Sequence, residues 1–179
     1  MTGVVVIFAG HRVDEPGRNP PRFPPACETK AREAIKSVML DIANAASGPV
    51  LGIAGAADGG DILFHEVCAE LGVESEVCLA LPPAEYVRTS VQASWADRFH
   101  RLLQTHHTAI LESDCDDVWL RDHLWQLRRA RDQHPLRMVL VALLEEAGVD
   151  TPGGTSGMVR LAQENCLEVI RLDTRDICA

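Results

Sequence analysis

The stretch VVVIFAG, Val4 to Gly10, is an unbroken apolar run with four β-branched residues in a row, ended by glycine. A strand with one wet face alternates apolar and polar residues, whereas continuous apolarity needs cover on both faces. A chain that must bury such a strand between two helical layers is restricted to α/β architectures with a mostly parallel sheet. Five further runs read as strands: PVLGIAG (49–55), ESEVCLALPP (74–83), HTAILE (107–112), RMVLVALL (137–144) and LEVIRLD (167–173).

Helical patterns fill the spaces between them. Ala31, Ile35, Val38, Met39 and Ile42 recur at helical spacing, which predicts a helix from about Cys27 to Ala46. Ile62, Leu63, Val67 and Leu71 share a face of a second helix, and Gly72 stops it. Residues 84–104 read as two short helices or one broken helix. Residues 116–133 form an amphipathic helix, capped by Asp116 or Asp117 and basic near its end. A last helix follows the glycines at 153 and 154. The βα order predicts one doubly wound, Rossmann-like three-layer domain over residues 1–179, with a mostly parallel sheet of about six strands. A Pro-rich loop occupies 11–25.

Bulk properties narrow the partners. The 179 residues are 46% hydrophobic but only 4% aromatic, so one core is built mainly from Val, Leu, Ile and Ala. A formal net charge of -9 repels DNA, RNA and anionic membranes, so the expectation is no nucleic-acid and no membrane partner. The six cysteines contain no C-x-x-C pair, which predicts no zinc site and a reduced, cytoplasmic protein. No basic leader follows Met1, and no apolar run approaches the roughly 20 residues of a membrane span.

Ligands of doubly wound sheets bind beyond the carboxyl ends of the strands. Three loops there carry chemistry. The first begins Gly10, His11, Arg12 and adds Arg18 and Arg22, a local positive field in an acidic chain. The second, GIAGAADGGD, supplies Gly55, Ala56, Asp58, Gly59, Gly60 and Asp61 at the start of a helix. Asp58 suits either the helix cap or ligand sugar hydroxyls, and Asp61 follows three residues later. The third holds Gly153, Gly154, Thr155 and Ser156, with hydroxyls at a helix start and nothing acidic up to Arg160. This is the better phosphate cradle, with Arg12 expected to face it. There is no G-K-[ST] step and no G-x-G-x-x-G spacing after the first strand, so neither a P-loop nor the standard dinucleotide fingerprint is present.

Taken together, VVIFAGHR, GIAGAADGGDILFHEVCAELG and PGGTSGMVRLAQE resemble the SLOG superfamily of Rossmann-like domains, which includes the LOG-type phosphoribohydrolases and DprA-like domains. PRFPP and LPPAEYVRTSVQASWADRF look closest to a bacterial, signalling-associated subgroup. The resemblance spans nearly the whole chain and implies a nucleotide-like small molecule across the strand ends. It also implies a homo-oligomer and a protein signalling partner. The ligand-binding candidates it carries over are Gly10, His11, Arg12, Gly55, Asp58, Gly59, Gly60, Asp61, Gly153, Gly154, Thr155 and Ser156.

LOG enzymes carry P-G-G-x-G-T-x-x-E, whose glutamate helps cleave a glycosidic bond. Here the stretch reads PGGTSGMVR, with no acid at that position. Cleavage needs a carboxylate beside the developing oxocarbenium. Glu66, Glu85 and Glu112 are the conceivable substitutes, with no spacing in favour of any. The expectation is binding or sensing without turnover and with no catalytic residue assigned; the alternative is hydrolysis of a nucleotide N-glycosidic bond. No cofactor is expected. No metal is expected either, because His100, His106 and His107 lack H-x-x-x-H spacing. Cys115 lies between carboxylates, which opposes a nucleophilic role. Trp95, Trp119 and Trp125 are read as core or interface.

Overall fold

The computed structural model describes residues 3–112, 117–145 and 153–179. Strands β1 (Val4–Gly10), β2 (Val50–Ala54), β3 (Glu74–Leu79), β4 (His107–Ile110), β5 (Arg137–Leu144) and β6 (Glu168–Asp173) form one sheet, ordered β4-β3-β2-β1-β5-β6. Every neighbouring pair is parallel, with Val6 opposite Gly52 on one side and Val139 on the other. The continuous apolar run is therefore the central strand, and its successive side chains go to opposite layers. Val4, Val6 and Phe8 join the cluster holding Ile35 and Met39 of α1 (Glu28–Ala45) and Leu63 and Phe64 of α2 (Gly60–Leu71). Val5 and Ile7 join Leu127 of α5 (Val118–Asp132) and Met158 of α6 (Thr155–Glu164). Phe8 stacks on Phe64 at 4.7 Å between ring centroids. Each such fully buried side chain contributes roughly 2 kcal/mol of transfer free energy.

The uncertain middle resolves into α3 (Pro83–Ser90) and α4 (Ala96–Thr105), separated by a single 3-10 turn at Ala93–Trp95. Asp117 caps α5, accepting from Leu120 N at 3.4 Å. The alternative cap, Asp116, lies outside the described residues, as do Cys115 and residues 150–152 of the third loop. The Pro-rich loop is anchored rather than loose: Phe23 is fully buried, and Asp14 Oδ2 accepts from the backbone N–H of Arg22 and Phe23 at 2.8 and 2.9 Å.

Two expectations are corrected here. The chain ends in a short helix, α7 (Thr174–Cys178), which five residues are too few to announce by periodicity. It packs on α1 and brings Cys178 to Cys27, 151 positions away in sequence, where the two form a disulfide. The reading of every cysteine as reduced rested on local spacing, which carries no information about a contact so distant in the chain. Cys68 and Cys78 remain buried thiols, and burial pushes the Cys68 thiol up to about 12.

The sheet order places β1 at the switch point, with β2, β3 and β4 laid down to one side and β5 and β6 to the other. A crevice must open where the connections diverge, beyond the carboxyl ends of β1 and β5.

Candidate functional site

A cleft of about 400 Å³ occupies that position. Phe8 and Gly10 at the end of β1 contribute its floor, α5 one wall through Trp119, Asp122, His123 and Gln126, and the start of α6 another. Tyr86, Thr89 and Ser90 of α3 border it, with Arg12 and Arg22 from the first loop. Nine of the residues expected from the sequence meet there: Gly10, His11, Arg12, Gly55, Asp61, Gly153, Gly154, Thr155 and Ser156. Ala56, Asp58, Gly59 and Gly60 do not line it and stand behind its surface.

The second loop is shaped by contacts among the loops themselves. Gly59 has φ 101°, a conformation that glycine alone adopts without strain, and it forms an isolated antiparallel bridge with Arg12. A Cβ on Gly60 would stand 2.7 Å from the Cα of Gly10, so the end of β1 and the start of α2 touch backbone to backbone.

Asp58 does not cap α2. The N-cap is Gly59, and no side chain bonds to the first turn there. Asp58 is fully buried, and its Oδ1 accepts from Arg12 Nε at 2.6 Å while its Oδ2 accepts from Gln92 N at 2.9 Å. Arg12 Nη1 also donates to Thr89 O at 3.4 Å. Arg12 therefore fastens the first loop to the second while its partly exposed side chain lines the cleft. The partners are 46 residues apart and meet only because both loops leave the same end of the sheet.

Asp61 fills the place where an anion at this turn would sit. Its Oδ1 accepts from Gly10 N at 3.1 Å and its Oδ2 from Ala57 N at 3.3 Å. Burial outweighs those bonds and lifts the carboxyl to about 7. His65 steadies the loop from below, its ring bridging Ser75 Oγ and Gly55 O at 2.9 Å each.

Among the described residues, the α6 start has no such built-in anion. Its N-cap is Gly154, with no side-chain cap and no acid in the first turn, so the first N–H groups are aimed at the cleft. His11 orders this end. Its Nε2 accepts from Glu145 N at 3.0 Å, which leaves the proton on Nδ1 to donate toward Thr155 Oγ1 at 3.4 Å. Burial, helped by the nearby Arg22, holds His11 down at about 4, so the ring is neutral at neutral pH. Arg22 Nε is buried with no hydrogen-bond partner among the described residues. Among the described residues, the cations that line the cleft are Arg12 and Arg22, of which Arg22 has no carboxylate bonded to its side chain.

Of the α5 wall, Trp119 alone is singled out by the sequence, as core or interface. Trp119, Asp122, His123 and Gln126 recur at i, i+3, i+4 and i+7, one face of the helix, and that spacing was the available signal. Asp122 Oδ2 accepts from Gln126 Nε2 at 2.8 Å, whereas its Oδ1 has no partner among the described residues. Burial, reinforced by the Asp61 carboxyl, pushes Asp122 up to about 8. His123 Nδ1 is likewise without a partner, and burial holds that ring at about 4. Glu66 is gripped by Arg98 at 2.8 and 2.6 Å, and Glu66, Glu85 and Glu112 do not line the cleft. Among the described residues, the carboxyls that do are Asp61 and Asp122.

No helix among the described residues is long and apolar enough to cross a membrane. No protein-family model matches the chain, and no curated protein matches its sequence. Among solved structures it is similar to DNA processing protein A (DprA) from Streptococcus pneumoniae, at 13% identity and a TM-score of 0.43. The match covers 99% of this chain, which spans 60% of the length of that one. The expectation that nucleic acid is not a partner rested on net charge alone and is withdrawn. Net charge describes a whole surface, and here Arg121, Arg128 and Arg129 line one groove of an acidic molecule.

Proposed function

We propose that the cleft binds a nucleotide or nucleotide-derived small molecule without turning it over. The observation that carries this reading is the polarity of the cleft: uncapped N–H groups of α6 and the Arg22 guanidinium at one part, the Asp61 and Asp122 carboxyls at another. A ligand with an anionic end and a hydrogen-bond-donating end satisfies both. Titration calorimetry against a panel of nucleoside phosphates tests it. Binding by at least one member, weakened at least tenfold by Arg22→Ala, is expected. Heat from no member, with the protein folded, overturns the reading.

One observation favours turnover as a second reading. Two carboxyls share the cleft, both raised by burial, and cleavage of an N-glycosidic bond uses one acid to protonate the leaving base and one carboxylate to activate water. Release of free base from a nucleoside monophosphate, lost in Asp122→Asn, would establish it. Absence of free base at high protein concentration removes it. The cytoplasmic location, signalling and self-association expected from the sequence and the SLOG resemblance belong to this same proposal.

A further inference from the structure

We infer that the α5 wall is a seat for an aromatic heterocyclic base, stacked on Trp119 and donating an N–H to Asp122 Oδ1. This rests on the nucleotide reading above and assigns the ligand's orientation. Two independent observations converge on it. Asp122 is 6% exposed, lines the cleft, and has one oxygen held by Gln126 and the other without a partner. A buried polar atom left unpaired costs about 1–3 kcal/mol, and an N–H from the ligand would recover it by favouring the ionised carboxylate, which accepts at both oxygens, over the protonated form that burial favours in the empty cleft.

The second observation is what stands beside that oxygen. Trp119 is one helical turn before Asp122, only half-buried, and lines the same cleft, with Tyr86 meeting its ring edge-on at 6.1 Å between centroids. An aromatic surface next to a hydrogen-bonding edge is what a flat heterocycle requires, with stacking on its face and polar contact in its plane. A sugar has polar groups on every side and gains little from an indole wall. The anion seat adjoins it: a Cβ on Gly153 would lie 2.7 Å from the Trp119 Cβ, so the α6 start packs directly against the base wall. A single small molecule can therefore reach both.

The test compares adenosine 5′-monophosphate, purine riboside 5′-monophosphate (which lacks the exocyclic amine) and ribose 5-phosphate by calorimetry and tryptophan fluorescence on the intact protein. Adenosine 5′-monophosphate is expected to bind roughly tenfold or more tightly than ribose 5-phosphate and to quench fluorescence. Trp119→Phe should abolish the quench, which Trp95 and Trp125 cannot supply from outside the cleft. Purine riboside 5′-monophosphate should bind several-fold more weakly than adenosine 5′-monophosphate to the parent protein, and that gap should close in Asp122→Asn. Equal binding of ribose 5-phosphate and adenosine 5′-monophosphate, with fluorescence unchanged, overturns the base seat while leaving a phosphate-binding cleft. Binding by none of the three overturns the base seat, and failure of the wider nucleoside phosphate panel as well overturns the nucleotide reading beneath it.

Discussion

Arg12 Nε and Asp58 Oδ1 stand 2.6 Å apart, with the aspartate fully buried and the arginine side chain 38% exposed. The pair joins the loop after β1 to the loop before α2, and Asp58 Oδ2 accepts from Gln92 N at 2.9 Å and from Arg12 Nη2 at 3.4 Å. Removing the guanidinium leaves a buried charge without its cation. Arg12→Ala should therefore destabilise the fold by about 2–3 kcal/mol in urea denaturation. The double variant Arg12→Ala with Asp58→Asn should recover part of that loss, since the amide needs no cation. A single variant as stable as the parent would show that the contact is only a surface ion pair.

The sequence made the sheet legible because central strands cannot hide: β1 and β5 must be apolar on both faces. The crevice followed from the βα order, since loops after parallel strands share one end. The pairings inside it were not legible. Asp58 three residues before Asp61 is a plausible helix-cap pattern, and nothing local says that an arginine 46 residues earlier will claim it. Asp122 was hidden for the opposite reason. It sits in a helix of strongly polar composition, where a carboxylate is ordinarily solvated, and only the three-dimensional course of α5 turns that residue toward the strand ends.

Gly10 and Gly60 are in backbone contact, with the Cβ position of each 2.7 Å from the Cα of the other. Neither loop can retreat, because Gly60 N donates to His11 O at 3.0 Å and Val13 N to Asp58 O at 3.2 Å. Gly60→Ala should cost about 2 kcal/mol or more by overpacking, read as a fall in melting temperature. Gly17→Ala is a useful contrast. Its φ of 82° is strained for alanine, but nothing lies within 4 Å, so its loss should be smaller. Gly60 has no positive φ, so a loss no larger than that of Gly17→Ala would show that the two loops part far enough to admit a methyl group.

The Cys27–Cys178 disulfide closes almost the whole chain into a loop. By loop-closure entropy, a cross-link over 151 residues restricts the unfolded chain by up to about 5 kcal/mol. Reductant should shift the urea midpoint of the parent downward, and Cys178→Ser should show the lower midpoint in either condition. A midpoint indifferent to reductant would mean that the two thiols are neighbours without a bond in solution.

Asp122 and Asp61 make a stability profile of unusual sign. Both fold with carboxyls raised above their ordinary value of 3.8, Asp122 to about 8 and Asp61 to about 7, because burial disfavours the charge. The stability associated with their protonated forms is complete below about pH 4 and is lost as pH rises through 7 to 8. His11, His65 and His123 act oppositely. They are held at about 4, below their ordinary 6.5, so their contribution is present above that pH and lost as it falls toward 4. Between pH 6.5 and 9 the carboxyls alone among these groups titrate, and the unfolding free energy of the parent should decline. Asp122→Asn cannot ionise, yet its amide oxygen can still accept from Gln126. Its stability relative to the parent should therefore grow by a few kcal/mol as pH rises from 4 to 9, measured by urea denaturation without ligand. Parallel curves for the two proteins would show that Asp122 ionises in the folded protein as readily as in the unfolded chain.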